Sequence, residues 1–185
     1  KGALRKQRRE SYLAEVNVRI GAAEVRCTGL IDTGNQLYDP LTRAPVMMME
    51  ADLWKGVVPE RWMNVILTRE PENIVRLIDE ADRGAGAGGA PVPGTDGASG
   101  TGAETDSGAS DALWRERIRL VPYRGIGSGG KLMVALKPDE VAIERNGRTE
   151  RTKKALVGIE AGPFAADGAY RALVHPALVE SNREE

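Results

Sequence analysis

Apolar and polar residues alternate along much of this chain, and such alternation is the pattern of half-buried β-strands. Near the start, every second residue is apolar: Tyr12, Ala14, Val16, Val18 and Ile20. Gly21-Ala22-Ala23 then predicts a turn, and residues 24–31 predict the returning strand. The chain is therefore expected to begin its folded part with a β-hairpin.

The other apolar runs are short and bounded by turn residues, which favours further strands. These are predicted over 46–49, 64–67, 118–122, 132–136, 141–144, 148–153, 155–159 and 170–174. Asn146-Gly147 is typical of a type I′ hairpin turn. Helical patterns are brief and cover 51–55, 71–81 and 177–180. The expected fold class is all-β with one or two short helices.

The composition changes between residues 84 and 111, where Gly, Ala, Ser, Thr and Asp dominate. Such a segment cannot bury enough apolar surface to offset the entropy of ordering, so we expect a disordered surface insertion. The predicted segments are a basic tail (1–10), the first half of a folded domain (11–83), the insertion (84–111), the second half of the domain (112–180) and a C-terminal tail (181–185).

The overall composition argues against several functions. The chain has 185 residues, a net charge of −1, one cysteine and one histidine. These numbers exclude an internal disulfide, favour a reducing compartment and give no sign of nucleic-acid binding. One cysteine and one histidine cannot form a zinc site by themselves, and we predict neither a metal nor another cofactor.

The first ten residues are strongly basic, with Lys1, Arg5, Lys6, Arg8 and Arg9. They are either a solvated tail or a juxtamembrane segment near anionic headgroups, where each basic residue contributes about 1 kcal/mol. No apolar run reaches the roughly 18 residues of a membrane span. Because the chain starts with Lys rather than Met, we interpret it as a piece of a longer protein.

One motif carries the candidate chemistry, namely Gly-Leu-Ile-Asp-Thr-Gly-Asn at residues 29–35. Its apolar pair predicts the end of a buried strand, and Gly34 permits a tight turn directly afterwards. Asp32 is thus expected at a strand end, beside backbone N–H groups and the Thr33 hydroxyl. This is the Asp-Thr-Gly arrangement of aspartic proteases.

Other candidate motifs are rejected because the residues around them do not fit the corresponding site. Asp106-Ser107-Gly108 resembles a second aspartic motif, but no apolar strand precedes it. The glycine spacing at 125–130 is followed by a predicted strand, whereas a dinucleotide-binding loop opens a helix. A protein-kinase interpretation lacks both the His-Arg-Asp and the Asp-Phe-Gly motif. We expect Cys27 to be a small buried side chain and His175 to be a structural histidine.

The chemistry of aspartic proteases needs two carboxyl groups about 3 Å apart that share one proton. The chain offers one suitable acid, Asp32, so a second copy must supply the other across a twofold axis. We expect Thr33 to link the two motif loops by hydrogen bonds and Gly34 to let the two backbones approach. These residues predict a homodimeric aspartic endopeptidase.

The order of elements resembles that of retroviral-type aspartic proteases: a first hairpin, Leu-Ile-Asp-Thr-Gly at 30–34, a glycine-rich hairpin tip and Ala-Leu-Val-Gly at 155–158. The resemblance implies a retropepsin-like closed β-barrel, the lobe of an acid protease. It also implies that the tip at 125–130 is the flap that closes over the substrate. The flap residues expected to contact substrate are Gly125, Ile126, Gly127 and Ser128.

A narrower resemblance rests on Leu-Ile-Asp-Thr-Gly-Asn-Gln-Leu-Tyr-Asp-Pro-Leu-Thr at 30–42 and on Tyr-Arg-Ala-Leu at 170–173. These residues resemble the sporulation sigma-E factor-processing peptidases, and the resemblance covers 10–180 apart from the insertion. It implies an enzyme on the cytoplasmic face of the cell membrane, held there by N-terminal spans absent from this chain. Its substrate would be an inactive sigma factor that loses its pro-segment during sporulation, and its activator a membrane-crossing signalling protein.

One departure and one alternative accompany this interpretation. Retroviral-type proteases carry a glycine after an apolar pair in their second half, whereas Leu173-Val174 is followed here by His175. The alternative function is a non-catalytic binding or regulatory module with a protease-like fold. In such a module, Asp32 and Thr33 would only bond to backbone.

Overall fold

The computed structural model describes residues 12–86, 105–124 and 130–180. Within these ranges the chain forms one nine-stranded sheet, three α-helices and two 3₁₀ helices. The strands are β1 (Leu13–Ile20), β2 (Ala23–Ile31), β3 (Val46–Glu50), β4 (Ile118–Arg124), β5 (Gly130–Leu136), β6 (Glu140–Arg145), β7 (Arg148–Thr152), β8 (Leu156–Glu160) and β9 (Ala172–Val174). The α-helices are α1 (Glu60–Thr68), α2 (Pro71–Gly86) and α3 (Thr105–Arg117), and the 3₁₀ helices are Ala51–Trp54 and Pro176–Leu178.

The mostly β character predicted from the sequence is confirmed. Every predicted strand except 64–67 is present, with ends that differ from the prediction by at most two residues. The hairpin turn between β6 and β7 is also confirmed, because Asn146 and Gly147 have φ angles of 53° and 73°. Two consecutive positive φ angles define the type I′ turn that suits the twist of a hairpin.

The sheet is open, so the expected closed β-barrel is wrong. The strand order is β4-β5-β8-β3-β9-β2-β1-β6-β7, and in the described ranges no ladder joins the outer strands β4 and β7. Helices account for the difference. Apolar side chains of all three, such as Trp62, Leu77 and Trp114, belong to the same buried cluster as Val16 of β1 and Ile143 of β6. Since helices cover the sheet, its apolar surface is buried without closure.

Helix α1 stands where a strand was predicted over 64–67. Its buried side chains are Trp62, Met63 and Ile66, and this spacing places them on one face of a helix. The β-branched pair Val65-Ile66 favoured a strand locally, but burial of the helical face outweighs that preference. The prediction of a strand at this position is therefore wrong.

Helix α3 is anchored to the other two helices. Trp62 Nε1 in α1 donates a hydrogen bond to Asp111 Oδ1 at 2.8 Å. Arg115 forms an ion pair with Asp82 of α2 at 2.6 Å. These contacts hold the segment that returns the chain to the sheet at β4.

The two ends of the predicted insertion are helical rather than disordered. Residues 84–86 belong to α2 and residues 105–111 to α3, while 87–104 lie outside the described residues. Asp106-Ser107-Gly108 is within α3. Its backbone is therefore helical and does not form the strand-end turn that an aspartic motif requires.

Both predicted tails, 1–10 and 181–185, also lie outside the described residues. In the part of the chain that the structure describes, no helix is long and apolar enough to cross a membrane.

Strand β9 is inserted between β2 and β3, and this insertion determines where the candidate site lies. β9 runs parallel to β2 and antiparallel to β3. The packing is tight at Gly29 of β2, where a Cβ atom would lie 2.7 Å from Val174 Cγ2 and 2.8 Å from Val16 Cγ2. Both valines are fully buried, so glycine is needed for this close approach.

Candidate active site

Asp32 directly follows β2 and is partly exposed, whereas Ile31 before it is buried. The Asp32 backbone N–H donates to Val174 O at 2.9 Å, and the N–H of Ile31 donates to Tyr12 O at 2.8 Å. Two hydrogen bonds therefore hold the end of the strand. The structure places the acid at the end of a buried strand, as expected from the sequence, with its carboxylate accessible to solvent.

The residues after Asp32 form a tight turn around its carboxylate. Gly34 N donates to Asp32 Oδ1 at 3.2 Å, and Asn35 N donates to the Asp32 carbonyl at 3.0 Å. The first bond orients the carboxylate and leaves its Oδ2 without a partner in the described residues. Thr33 is exposed and makes no side-chain hydrogen bond within the same part of the chain, so its predicted link to a second motif loop stays a prediction.

Asn35 is a site residue that the sequence analysis missed. Its Nδ2 donates to Val46 O at 2.9 Å, and its Oδ1 accepts from Leu37 N at 2.9 Å. The amide thus ties the motif loop to β3. The available signal was an asparagine placed directly after a turn, since Asn side chains often bond the backbone two residues further on.

The next loop is organised by Asp39, which is buried. Its carboxylate accepts hydrogen bonds from Thr42 Oγ1 at 2.6 Å and from Leu41 N at 3.2 Å. The Thr42 hydroxyl is the main reason why the pKa of Asp39 lies below its usual range, and backbone N–H groups act in the same direction while burial opposes them. Asp39 is therefore ionised and structural, and it supports the loop beside the candidate site.

Replacing Thr42 by Val should destabilise the protein at neutral pH. A carboxyl group whose pKa is lowered on folding stabilises the folded state above its unfolded pKa, and this contribution is lost as the pH falls through the folded pKa. We expect Thr42→Val to lower the free energy of unfolding at pH 7 by about 1 kcal/mol, the typical value of one hydrogen bond. Urea unfolding at pH 7 and at pH 3 measures the effect, which should shrink at the lower pH.

The matched control for this prediction is Thr149→Val in β7. Thr149 is exposed and makes no side-chain hydrogen bond in the described ranges, so its replacement should change stability by less than about 0.5 kcal/mol at both pH values. An equal loss at pH 7 and pH 3 for Thr42→Val would contradict the role assigned to the Asp39 carboxylate.

An open groove of about 460 Å³ lies against Asp32. Its walls come from segments that are far apart in the sequence. They are mainly apolar, with Leu37, Met48, Tyr123, Met133, Phe164 and Leu173, and they include one further acid, Glu160. A mainly apolar groove with a few polar groups has the character of a ligand-binding site.

The β4–β5 hairpin contributes to the wall of this groove. Tyr123 and Met133 line the groove from the two strands of the hairpin. The predicted flap residues Gly125, Ile126, Gly127 and Ser128 lie in the tip, outside the described residues, so their contact with substrate stays a prediction. The strands that would carry such a flap are, however, placed beside Asp32.

His175 lies behind the Asp32 loop and is almost completely buried. Its Nδ1 accepts a hydrogen bond from Ala177 N at 3.0 Å, and its ring packs against Tyr38 with 4.6 Å between centroids. Burial lowers the pKa of His175, while the nearby charges of Glu180 and Asp32 act in the opposite direction. A neutral, buried imidazole that caps a 3₁₀ helix agrees with the predicted structural role.

The remaining sequence candidates do not join the site. Cys27 is only partly exposed, and burial raises the pKa of its thiol to about 12, so it is protonated at neutral pH and a poor nucleophile. The described residues contain no group of three His, Cys, Asp or Glu side chains placed to hold a metal ion. Asp32 is thus the candidate reactive group.

Comparison with known proteins gives related sequences but no related structure. The chain is 30% identical over 167 residues to the sporulation sigma-E factor-processing peptidase of Priestia megaterium and 27% identical over 164 residues to that of Bacillus subtilis. These matches cover 90% and 89% of this chain but only 44% and 43% of the two relatives. A relative from Bacillus thuringiensis subsp. kurstaki is 28% identical over 171 residues, which is 92% of this chain and 86% of that protein.

No solved structure matches the chain. A protein-family model does match, over residues 2–178, and it describes the peptidase family U4, sporulation factor SpoIIGA. The matched range contains all of the described sheet, the Asp32 loop and the groove. Because it covers nearly the whole chain, this protein belongs to the sporulation factor SpoIIGA family of peptidases.

Proposed function

We propose that this chain is the catalytic part of an aspartic endopeptidase that removes the pro-segment of an inactive sigma factor during sporulation. The observation that carries the proposal is the position of Asp32, at the end of a buried strand and in an open, mainly apolar groove with a β-hairpin in its wall. The names of the relatives from Priestia megaterium and Bacillus subtilis support the choice of substrate.

The proposed reaction uses two Asp32 carboxyl groups, one from each of two copies. Two carboxylates about 3 Å apart cannot both ionise, so the pair holds one proton. The ionised member takes a proton from a water molecule as the water oxygen attacks the scissile carbonyl. The protonated member donates its proton to the carbonyl oxygen. Collapse of the tetrahedral intermediate then breaks the C–N bond, and the amine leaves with a proton from the pair.

Glu160 is the acid that could replace a second Asp32, because it lines the same groove. Its carboxylate is, however, already engaged in an ion pair with the guanidinium of Arg69. We thus assign Glu160 a structural role in the wall of the groove. The partner carboxyl is therefore assigned to a second copy, which fits a retropepsin-like arrangement of two lobes.

Within this arrangement each chain contributes one half of the site. The carboxylate of Asp32 is oriented by Gly34 N, and the exposed Thr33 hydroxyl has room to bond the partner's loop. The substrate would lie extended between the Asp32 pair and the β4–β5 hairpin, with its backbone bonded as an added strand. The hairpin tip, including Gly125 and Gly127, would close over it.

The proposal extends to the place of action. The chain spans less than half of the two named relatives. We propose that the remaining part carries N-terminal membrane spans, which hold this domain at the cytoplasmic face of the cell membrane. A membrane-crossing signalling protein would then activate it.

A shared active site predicts that activity depends on the concentration of the chain. We expect the cleavage rate per chain to rise with concentration until the dimer is fully formed, because one copy holds only one of the two carboxyl groups. We also consider an equal mixture of wild-type and Asp32→Asn chains at saturating concentration. Activity per wild-type chain should fall to about one half, because random pairing places half of the wild-type chains in mixed, inactive dimers.

The measurement is cleavage of the purified pro-sigma factor, followed on a gel, together with the oligomeric state by analytical ultracentrifugation. A monomer with full activity at every concentration would contradict the shared site. So would a mixture with Asp32→Asn in which the wild-type chains keep their whole activity.

A further inference from the structure

A second cavity, of about 440 Å³, lies beside the groove that contains Asp32. Its lining residues are Arg69, Pro71, Tyr123, Lys131 and Leu132, and we call it the Arg69 cavity. Tyr123 also lines the Asp32 groove. The two spaces therefore share one lining side chain.

The Arg69 cavity is basic. Among the described residues that line it, Arg69 and Lys131 are charged and none is an acid. Lys131 is exposed and forms no ion pair within the described ranges. Tyr123 and Lys131 are directly opposite each other in the β4–β5 ladder, so their side chains lie on the same face of the hairpin.

Arg69 connects the helices to both spaces. Its guanidinium pairs with Glu160, which lines the Asp32 groove, and its Nη1 donates to the Tyr123 hydroxyl at 3.4 Å. The guanidinium is planar with several N–H donors, so one carboxylate does not use all of them. Arg69 can therefore hold Glu160 in place and still offer N–H groups to an acceptor in the cavity.

The backbone conformation of Arg69 is also unusual. Its φ angle is 56°, a left-handed conformation that costs an ordinary L-residue roughly 1 kcal/mol. The turn ends α1 and starts the link to α2 at the point where the side chain meets β4 and β8. An arginine in this position keeps its contacts with Glu160 and Tyr123 despite the cost to its backbone.

We propose that the Arg69 cavity is an accessory substrate subsite that binds an acidic side chain of the polypeptide, a few residues away from the bond that is cut. This inference rests on the proposed function, because it requires an extended substrate in the Asp32 groove. An extended chain advances about 3.3 Å per residue, so a flanking residue and not the cleaved one reaches the cavity. Charge selection at this position would add specificity to a groove that is otherwise mainly apolar.

Binding to the catalytically inactive Asp32→Asn protein tests the subsite without any need for cleavage. The probes are three fluorescein-labelled peptides with one apolar core, flanked on both sides by three glutamates, three glutamines or three lysines. We expect the glutamate peptide to bind about tenfold more tightly than the glutamine peptide by fluorescence anisotropy, and the lysine peptide to bind most weakly. A tenfold ratio is the effect of one favourable charged contact.

Variants at Lys131 decide whether the preference comes from this cavity. Lys131→Gln should lower the glutamate-to-glutamine ratio, since only the donors of Arg69 remain, and Lys131→Glu should make the lysine peptide the preferred one. The matched control is Lys153→Gln, an exposed lysine beyond the opposite edge strand β7, which removes the same charge and should leave the ratio unchanged. Thermal unfolding of each variant shows that the fold is kept.

Equal effects of Lys131→Gln and Lys153→Gln would overturn the inference, because the preference would then come from the overall charge of the protein. Absence of any preference for the glutamate peptide would also overturn it. Neither result affects the proposed peptidase activity. The proposed aspartic mechanism fails on a different result, namely cleavage of the pro-sigma factor by Asp32→Asn.

Discussion

Replacing Asp32 by Asn should abolish cleavage of the pro-sigma factor while the protein stays folded. Because an amide cannot take a proton from water, the pair at the centre of the proposed dimer loses its base. Loss of a general base typically lowers the rate 10²- to 10⁴-fold, and we expect a loss of about 10⁴-fold here. The fold should survive because the strand-end hydrogen bonds are made by the backbone of Asp32, not by its carboxylate. Cleavage is measured with purified pro-sigma factor, and folding by circular dichroism and thermal unfolding.

The matched control is Asp79→Asn on α2. Asp79 is exposed and lines neither the groove nor the Arg69 cavity, so the same chemical change there should leave cleavage intact. Cleavage by Asp32→Asn at more than about one hundredth of the wild-type rate would be too fast for loss of a catalytic base. Asp32 would then not be the catalytic group, and its carboxylate would only shape the turn that follows β2.

Replacing Gly29 by Ala should destabilise the protein by about 3 kcal/mol, at the upper end of the usual cost of adding a methyl group to a full core. The new Cβ would lie 2.7 Å from Val174 Cγ2 and 2.8 Å from Val16 Cγ2. Valine side chains are stiff, and both are buried here, so neither can move away cheaply. Urea unfolding at pH 7 measures the loss of stability.

The same substitution should also lower the cleavage rate under conditions where the variant is folded. Val174 O accepts the hydrogen bond from Asp32 N, so a shift of β9 away from β2 displaces the anchor of the acid. The matched control is Gly84→Ala on α2, where a Cβ meets no atom within 4 Å. Alanine in a helix is preferred over glycine by about 1 kcal/mol, so this variant should be as stable as the wild type or slightly more stable. A Gly29→Ala protein with unchanged stability would contradict the close packing of β1, β2 and β9.

Strand positions followed from the sequence because β1 buries every second residue and β3 and β8 are short runs buried on both faces. Both patterns are visible within the element itself. The same local logic located Asp32, since an apolar pair followed by Asp-Thr-Gly predicts a strand end and a turn. The motif also carried the resemblance to the sporulation sigma-E factor-processing peptidases, and the family match over 2–178 agrees with it. Local patterns thus determined the elements, the acid and the family.

Helix α1 shows where local patterns failed. Residues 64–67 contain a β-branched pair that favours a strand, but Trp62 and Ile66 are buried on a helical face against α2 and the sheet. The prediction of a closed β-barrel was wrong for a related reason. Whether a sheet closes depends on what covers its face. Of the covering helices, α2 was predicted over 71–81, but part of α1 was predicted as a strand and the first half of α3 as disordered insertion.

The sequence by itself determined that an acid stands at the end of a buried strand in a mostly β protein of this family. Only the tertiary structure decided what surrounds that acid. It inserted β9 between β2 and β3, brought Leu37, Met48 and Met133 from three separate segments into one groove, and placed Arg69 beside Tyr123 and Lys131. The physical reason is that a strand's periodicity is set by its own burial, whereas a groove depends on long-range packing that no single segment encodes.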